Sequence, residues 1–174
     1  EPTTLDSDRI DRVAPIAAAG GLDVVLEITE RAITDSPGPL LQGVGRAREH
    51  GWRIALDDVG VDPGSLALLP ILRPDVVKLD MGLIRDQPDL ALGRTMAAVT
   101  AYAERSGANV LAEGVESEAH LERAVSLGAQ LGQGYRFGRP APLDAIRCGS
   151  ARDVIRTPVD AGRSAGSPYE VAVA

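Results

Sequence analysis

Two carboxylates sit side by side at Asp57 and Asp58, at the end of the apolar run Ile54-Ala55-Leu56, and a Gly- and Pro-punctuated loop follows. Adjacent like charges repel, and nothing structural is gained unless cations lie between or beside them. Hard divalent ions such as Mg²⁺ or Mn²⁺ take oxygen ligands and would relieve that repulsion. Two such ions about 3.5–4 Å apart form the usual clamp for in-line attack of water on a phosphodiester. A lysine beside them, Lys78 being the candidate, would orient the water or neutralise phosphate charge.

The elements that must position these groups alternate. Short β-rich apolar runs are expected at 23–28, 53–56, 75–79, 109–112 and 129–131, separated by amphipathic segments at 38–50, 88–106 and 117–127. An earlier helix is expected over 8–18 and a short last one over 143–148. Ser117-Glu118 reads as an N-cap signal, and Gly51, Gly107 and Gly128 fall where a helix end wants a left-handed residue. This βα rhythm predicts a parallel α/β sheet. Glu27 and Glu30, Asp57 and Asp58, Lys78 and Asp80, Glu113 and Glu116, and Gln133 then fall at or just past successive strand ends. In parallel α/β folds that edge is where ligands bind. Any one of these residues could be an ordinary helix cap or a solvated strand end. Five successive units delivering an acid, an amide or a lysine to the same edge outweigh that bland account.

Composition narrows the function. The 174 residues suit one domain, and 44% hydrophobic with 3% aromatic content implies a core of Ala, Val, Leu and Ile. A formal charge of -7 argues against polymeric nucleic acid or an anionic membrane as the main partner. The lone Cys148 excludes an internal disulfide, and without a long apolar run the expectation is a cytoplasmic protein. His50 and His120 are isolated, with no HExxH pattern or Cys cluster, so they read as surface or helix-end residues. Gly132-Gln133-Gly134 and Gly43-Val44-Gly45 complete no nucleotide-binding fingerprint. A response-regulator receiver also uses an acid pair and a strand-end lysine. Its acid pair ends the first strand, however, whereas here Glu27 precedes the pair.

Five motifs occur in order: LEITE (Leu26 to Glu30), DDVG (Asp57 to Gly60), VKLD (Val77 to Asp80), AEGVE (Ala112 to Glu116) and QGYRFGRP (Gln133 to Pro140). Together they resemble the EAL-domain phosphodiesterases that hydrolyse cyclic di-GMP to pGpG in bacterial second-messenger signalling. The resemblance implies a TIM-like (βα)8 barrel, incomplete here, with about the last five βα units in 1–148 and a linker in 149–174. It implies a two-metal Mg²⁺ or Mn²⁺ site with Glu27, Asp57 and Asp58 as ligands, Asp57 bridging. Lys78 would hold the attacking water, Glu113 would act as general base or position the water, and Gln133 would lie near substrate. Glu30, Asp80 and Glu116 would be supports, the two glutamates holding the loop after Asp58. A homodimer and an attached sensory domain are the expected partners.

Departures from the family pattern define the alternative. The Glu-Ala-Leu signature and the metal-binding Asn of the next strand are absent, and EPTTL matches what normally follows that Asn. The start at EPTTL and the end at YEVAVA therefore read as those of a piece of a longer protein, with little activity expected of the 174 residues alone. Val59-Gly60-Val61-Asp62-Pro63-Gly64-Ser65 replaces the family's Phe-Gly-Thr-Gly-Tyr-Ser-Ser, and VKLDMGLI replaces KIDRSF. A degenerate domain that binds cyclic di-GMP or a protein partner without hydrolysis is the competing expectation.

Overall fold

The structure is a computed structural model and describes residues 7–61, 63–85 and 90–140. Its elements run α1 (Ser7–Ala19), β1 (Val25–Thr29), α2 (Glu30–Asp35), α3 (Pro37–Glu49) and β2 (Arg53–Val59). A 3₁₀ segment (Pro63–Leu68) and α4 (Leu69–Leu72) lead into β3 (Val76–Leu79) and α5 (Met81–Arg85). Then come α6 (Leu90–Ser106), β4 (Asn109–Ala112), α7 (Glu118–Ser126) and β5 (Leu131–Gly132). The expected helix at 143–148 and the linker from 149 lie outside the described residues.

All pairings are parallel and the spatial order is β1-β2-β3-β4-β5, the same as the chain order. Sequential order separates this sheet from a doubly wound one, in which the order reverses and helices cover both faces. Right-handed crossovers between successive neighbours put every helix on one side, which is the arrangement of a barrel sector. The fold is thus a partial TIM-like barrel.

Register assigns the two faces. Ile28, Ile54, Leu56, Val77, Leu79, Val110 and Ala112 alternate onto one face and are each at most 3% exposed. Against them pack Leu40, Val44 and Ala47 of α3, Leu69 and Leu72 of α4, Val99 of α6 and Ala124 of α7, in one continuous cluster. The opposite face receives Glu27, Ala55, Asp57, Val76, Lys78 and Leu111. Parallel-sheet strands are enclosed on both sides, so the functional groups must emerge at the strand ends.

The helix ends follow their local chemistry. Ser117 Oγ accepts the His120 N–H at 3.2 Å and starts α7, while Gly51, Gly107 and Gly128 adopt φ of 78°, 78° and 83° just past α3, α6 and α7. Three expected strand boundaries moved by two residues or more. β1 starts at Val25, two residues later than the expected 23. β2 runs on through Asp57, Asp58 and Val59, and β5 starts two residues later than the expected 129. The short elements α2, α4 and α5 were not expected, because four to six residues are too few for a helical period to register.

The loops after β4 and β5 are fastened to each other through backbone. Gln133 N–H donates to Ala112 O, Val115 N–H to Gln133 O, and Arg136 N–H to Val115 O, at 2.9–3.0 Å. Gly134 lies against this seam at φ 153°, and a Cβ there would fall within 3 Å of the backbone N and C of Val115. Gly138 has a similar φ of 147° but open space around it. Gly134→Ala in the full chain should therefore cost at least about 2 kcal/mol, because backbone must move, against about 1 kcal/mol for Gly138→Ala. Denaturant unfolding of both variants checks the difference, and equal costs would show that the seam yields.

Candidate active site

The end of β2 solves a problem that strand geometry creates. Side chains alternate across a strand, so a regular β2 would send Asp57 to one face and Asp58 into the apolar face packed by helices. The pairing with β3 instead slips: Leu56 lies opposite Val77 and Val59 opposite Leu79, so Asp57 and Asp58 together face the single residue Lys78. This is a β-bulge, and Asp58 absorbs it at φ 57°, in the left-handed region that Asp tolerates better than most residues. Val59 then returns to the core, fully buried. The bulge keeps both carboxylates at the site without exposing the next apolar residue.

Lys78 is the centre of that site. Its side chain is only 6% exposed, and Nζ lies 2.7 Å from Glu113 Oε1, 2.8 Å from Asp57 Oδ1 and 3.1 Å from Glu27 Oε1. One buried ammonium thus joins carboxylates from β1, β2 and the residue just past β4. Burial opposes its charge, but contacts with Asp57 and Glu113 outweigh that penalty and hold the amine above the ordinary lysine range. It stays protonated at neutral pH.

One lysine does not neutralise this much acid. Burial raises the Asp58 carboxyl, and the charges of Asp57 and Asp80 raise it further, against the pull of Lys78. Burial likewise raises Glu113; Lys78 draws it back, and Asp57 and Asp58 push it up again. Asp57 Oδ1 is buried within ion-pair distance of the ammonium, yet has no hydrogen bond of good geometry among the described residues. Its lone pairs remain available. Asp57, Asp58 and Glu113 each offer an oxygen, and the three oxygens all lie within 4.8 Å of one another. A set of hard oxygen donors with surplus negative charge and an under-used buried oxygen fits a divalent cation. Glu27, 45% exposed, joins the group through Lys78.

The remaining expected residues sit around this centre. Asp80 caps α5, its Oδ1 accepting the Gly82 N–H at 2.7 Å while its own N–H donates to Val59 O. Glu116 pairs with Arg85 of α5 at 2.8 Å, so it ties the loop after β4 to α5; among the described residues it forms no ion pair with the loop after Asp58. Glu30 opens α2 one residue past β1, and its side chain lies outside the described part. Gln133 follows β5, with its backbone bonded to Ala112 and Val115. Arg85 was missed, because an arginine seven residues past a strand-end lysine carries no spacing signal. The bulge was missed too, although an acid pair ending in Val-Gly was its one available hint.

Comparison with known proteins identifies the family. Residues 6–140 match the EAL domain model. The chain is 38% identical over 125 residues to the cyclic di-GMP phosphodiesterase NbdA of Pseudomonas aeruginosa, covering 70% of this chain and 16% of that protein. It is 34% identical over 122 residues to the cyclic di-GMP phosphodiesterase RocR of the same organism, covering 68% of this chain and 31% of that protein. An uncharacterised protein of Azorhizobium caulinodans is 36% identical over 141 residues, 79% of this chain and 19% of that one. The chain therefore spans less than a third of the length of these relatives. Among solved structures, the manganese and cyclic di-GMP complex of Klebsiella pneumoniae BlrP1 superposes with a TM-score of 0.68 at 30% identity, over 77% of this chain and 35% of that one. Five ordered motifs, a sequential parallel sheet and a family match over most of the chain lead to one conclusion: the chain belongs to the EAL-domain family.

Proposed function

We propose that this chain forms part of a metal-dependent phosphodiesterase that opens cyclic di-GMP to linear pGpG in bacterial second-messenger signalling. The observation that carries the reading is the meeting of Asp57, Asp58 and Glu113 around the buried Lys78 at the strand ends. The names of the relatives NbdA and RocR support the substrate.

Asp57 and Asp58 would hold the divalent cations, Mg²⁺ or Mn²⁺, with Glu27 as the further ligand. When bound, these ions supply Lewis-acid polarisation of the phosphodiester and activation of water. Lys78 presents a permanently charged donor, fixed from three directions, to hold a water or a phosphoryl oxygen. Glu113 takes a proton from the water as its oxygen attacks phosphorus and the P–O3′ bond breaks. The 3′ oxygen leaves, gains a proton, and the 5′-phosphate of pGpG remains. Gln133, at the end of β5, contacts substrate in this reading. Asp80 and Glu116 keep α5 and the loop after β4 in place, and Glu30 is assigned a support role at the start of α2.

The test uses the intact protein with Mg²⁺ or Mn²⁺ and follows pGpG by chromatography. Asp57→Asn and Glu113→Gln should each lower kcat by about 10²-fold or more. Cyclic di-GMP binding without any pGpG from the wild type would favour a non-hydrolytic sensor, to which the altered loop after Asp58 lends support.

A pH test isolates the acid cluster. Asp58 must lose its proton to serve as a ligand and Glu113 must lose its proton to serve as a base, and both hold them to higher pH than ordinary carboxyls. Divalent-ion affinity should therefore fall on acidification earlier than for a normal carboxylate site. In the metal-free protein the sign reverses. A raised folded-state pKa contributes stability below the ordinary carboxyl range, and that contribution is lost as pH rises through the raised value. Asp58→Asn, whose amide also tolerates φ 57°, should melt slightly above the wild type at pH 7, with the gap narrowing as the pH is lowered. Thermal melts with and without Mn²⁺ check both parts, and a pH-independent gap would mean that charge repulsion is not the cause.

A further inference from the structure

The opposite end of the sheet holds a pocket of about 640 Å³, bounded by the starts of β2, β3 and β4 and by the ends of α4 and α6. Arg53, Arg73 and Arg105 line it, with Tyr102, Pro70 and Pro74 as its apolar walls. Three guanidinium groups around one cavity are conspicuous in a chain of net charge -7. The lining holds one acid, Asp75, whose Oδ2 accepts the Ile54 N–H at 2.8 Å, against three guanidinium groups. Arg53 shares its charge with the largely exposed Asp23 at 2.7 Å. Among the described residues, Arg73 and Arg105 form no ion pair.

The backbone at Arg73 points the same way. Arg73 ends α4 at φ 48°, a conformation for which Gly or Asn is the usual choice. A non-glycine residue is disfavoured there, and such strain persists only where the surroundings enforce it. They do: Arg48 reaches across from α3 and donates to the carbonyls of Leu72 and Arg73, and Pro74 fixes the next φ. A fourth arginine thus clamps the turn that presents Arg73 at the rim. Tyr102 closes the floor, its hydroxyl donating to Pro74 O at 2.9 Å.

We propose that this pocket is a second ligand site, for a compact polyanion whose adjacent phosphate or carboxylate groups pair with Arg73 and Arg105 and whose body rests against the exposed Pro70. Guanidinium forks suit both anions through paired N–H donors, and the cavity is of small-molecule size. The site does not depend on the activity proposed above. The strands that begin at Arg53, Val76 and Asn109 end near Asp58, Lys78 and Glu113, so the two sites occupy opposite ends of the same three strands.

Calorimetric titration of the intact protein in metal-free, low-salt buffer tests the site, with pyrophosphate in one arm and citrate in the other. Binding of either anion is expected, and the tighter arm identifies phosphate or carboxylate as the recognised group. Arg105→Gln and Arg73→Asn should each weaken binding about tenfold or more. Arg73→Asn should also raise the melting temperature by relieving the left-handed turn, so loss of binding in that variant is not misfolding. Arg9→Gln on α1 should leave binding unchanged. No heat from either anion, or a similar loss with Arg9→Gln, would overturn the proposal.

Discussion

Everything at the carboxyl ends of these strands depends on a buried ammonium surrounded by acids. Lys78 meets Glu27, Asp57 and Glu113 within 3.1 Å, and those three residues come from three different βα units. Removing a buried cation from such a group would leave its carboxylates to repel in a poorly solvated place. The lysine therefore sets the spacing of the site as well as serving in it. It cannot satisfy the site alone, and the raised Asp58 and Glu113 carboxyls register the surplus. The same surplus that raises these carboxyls is what a divalent cation would relieve, so a single electrostatic imbalance underlies both the shifts and the proposed metal site.

Strand periodicity supplies the second constraint. A parallel sheet enclosed on both faces has no tolerance for a charged residue aimed at its helices, yet two consecutive aspartates have to reach one site. The bulge at Asp57-Asp58 meets both demands, and its cost falls on one residue in the left-handed region. It also explains why Val59 and Gly60 follow directly. Val59 must re-enter the core, and Gly60, at φ 109°, packs so closely on Leu83 of α5 that a side chain there would overlap it. The loop that departs most from the family pattern is thus anchored at its first two positions by packing, while Val61 beyond them is 67% exposed.

Much of this was legible in the sequence, for identifiable reasons. The five strands announced themselves as short β-branched runs between glycines and helices, and 109–112 was placed to the residue. The cluster of Asp57, Lys78 and Glu113 was foreseen because parallel βα units deliver their last residues to one edge, whatever the detailed packing. Less was visible where tertiary contacts override local pattern. Alternation alone would have buried Asp58 among helices, and only the shifted pairing with Val77 and Leu79 reverses that. The segment 63–72 reads as a loop from its Pro and Gly, yet Leu69 and Leu72 are drawn into helix by the core they fill. Arg85 and Glu116 lie thirty-one positions apart, and no periodicity connects them.

The choice of cation follows from the same geometry. Of the 18 basic residues in the sequence, Lys78 is the one lysine and the rest are arginine. Arginine presents a rigid planar fork, suited to flat anions and to carbonyl pairs such as those Arg48 holds. Three carboxylates approaching one point from neighbouring strands ask for something else: a compact charge centred on a single atom. A guanidinium in that position would spread its donors over several ångströms and crowd the space where Asp57, Asp58 and Glu113 converge. A chain that otherwise uses arginine throughout has lysine where only a point charge fits, and that selectivity sets the position apart from an ordinary surface ion pair.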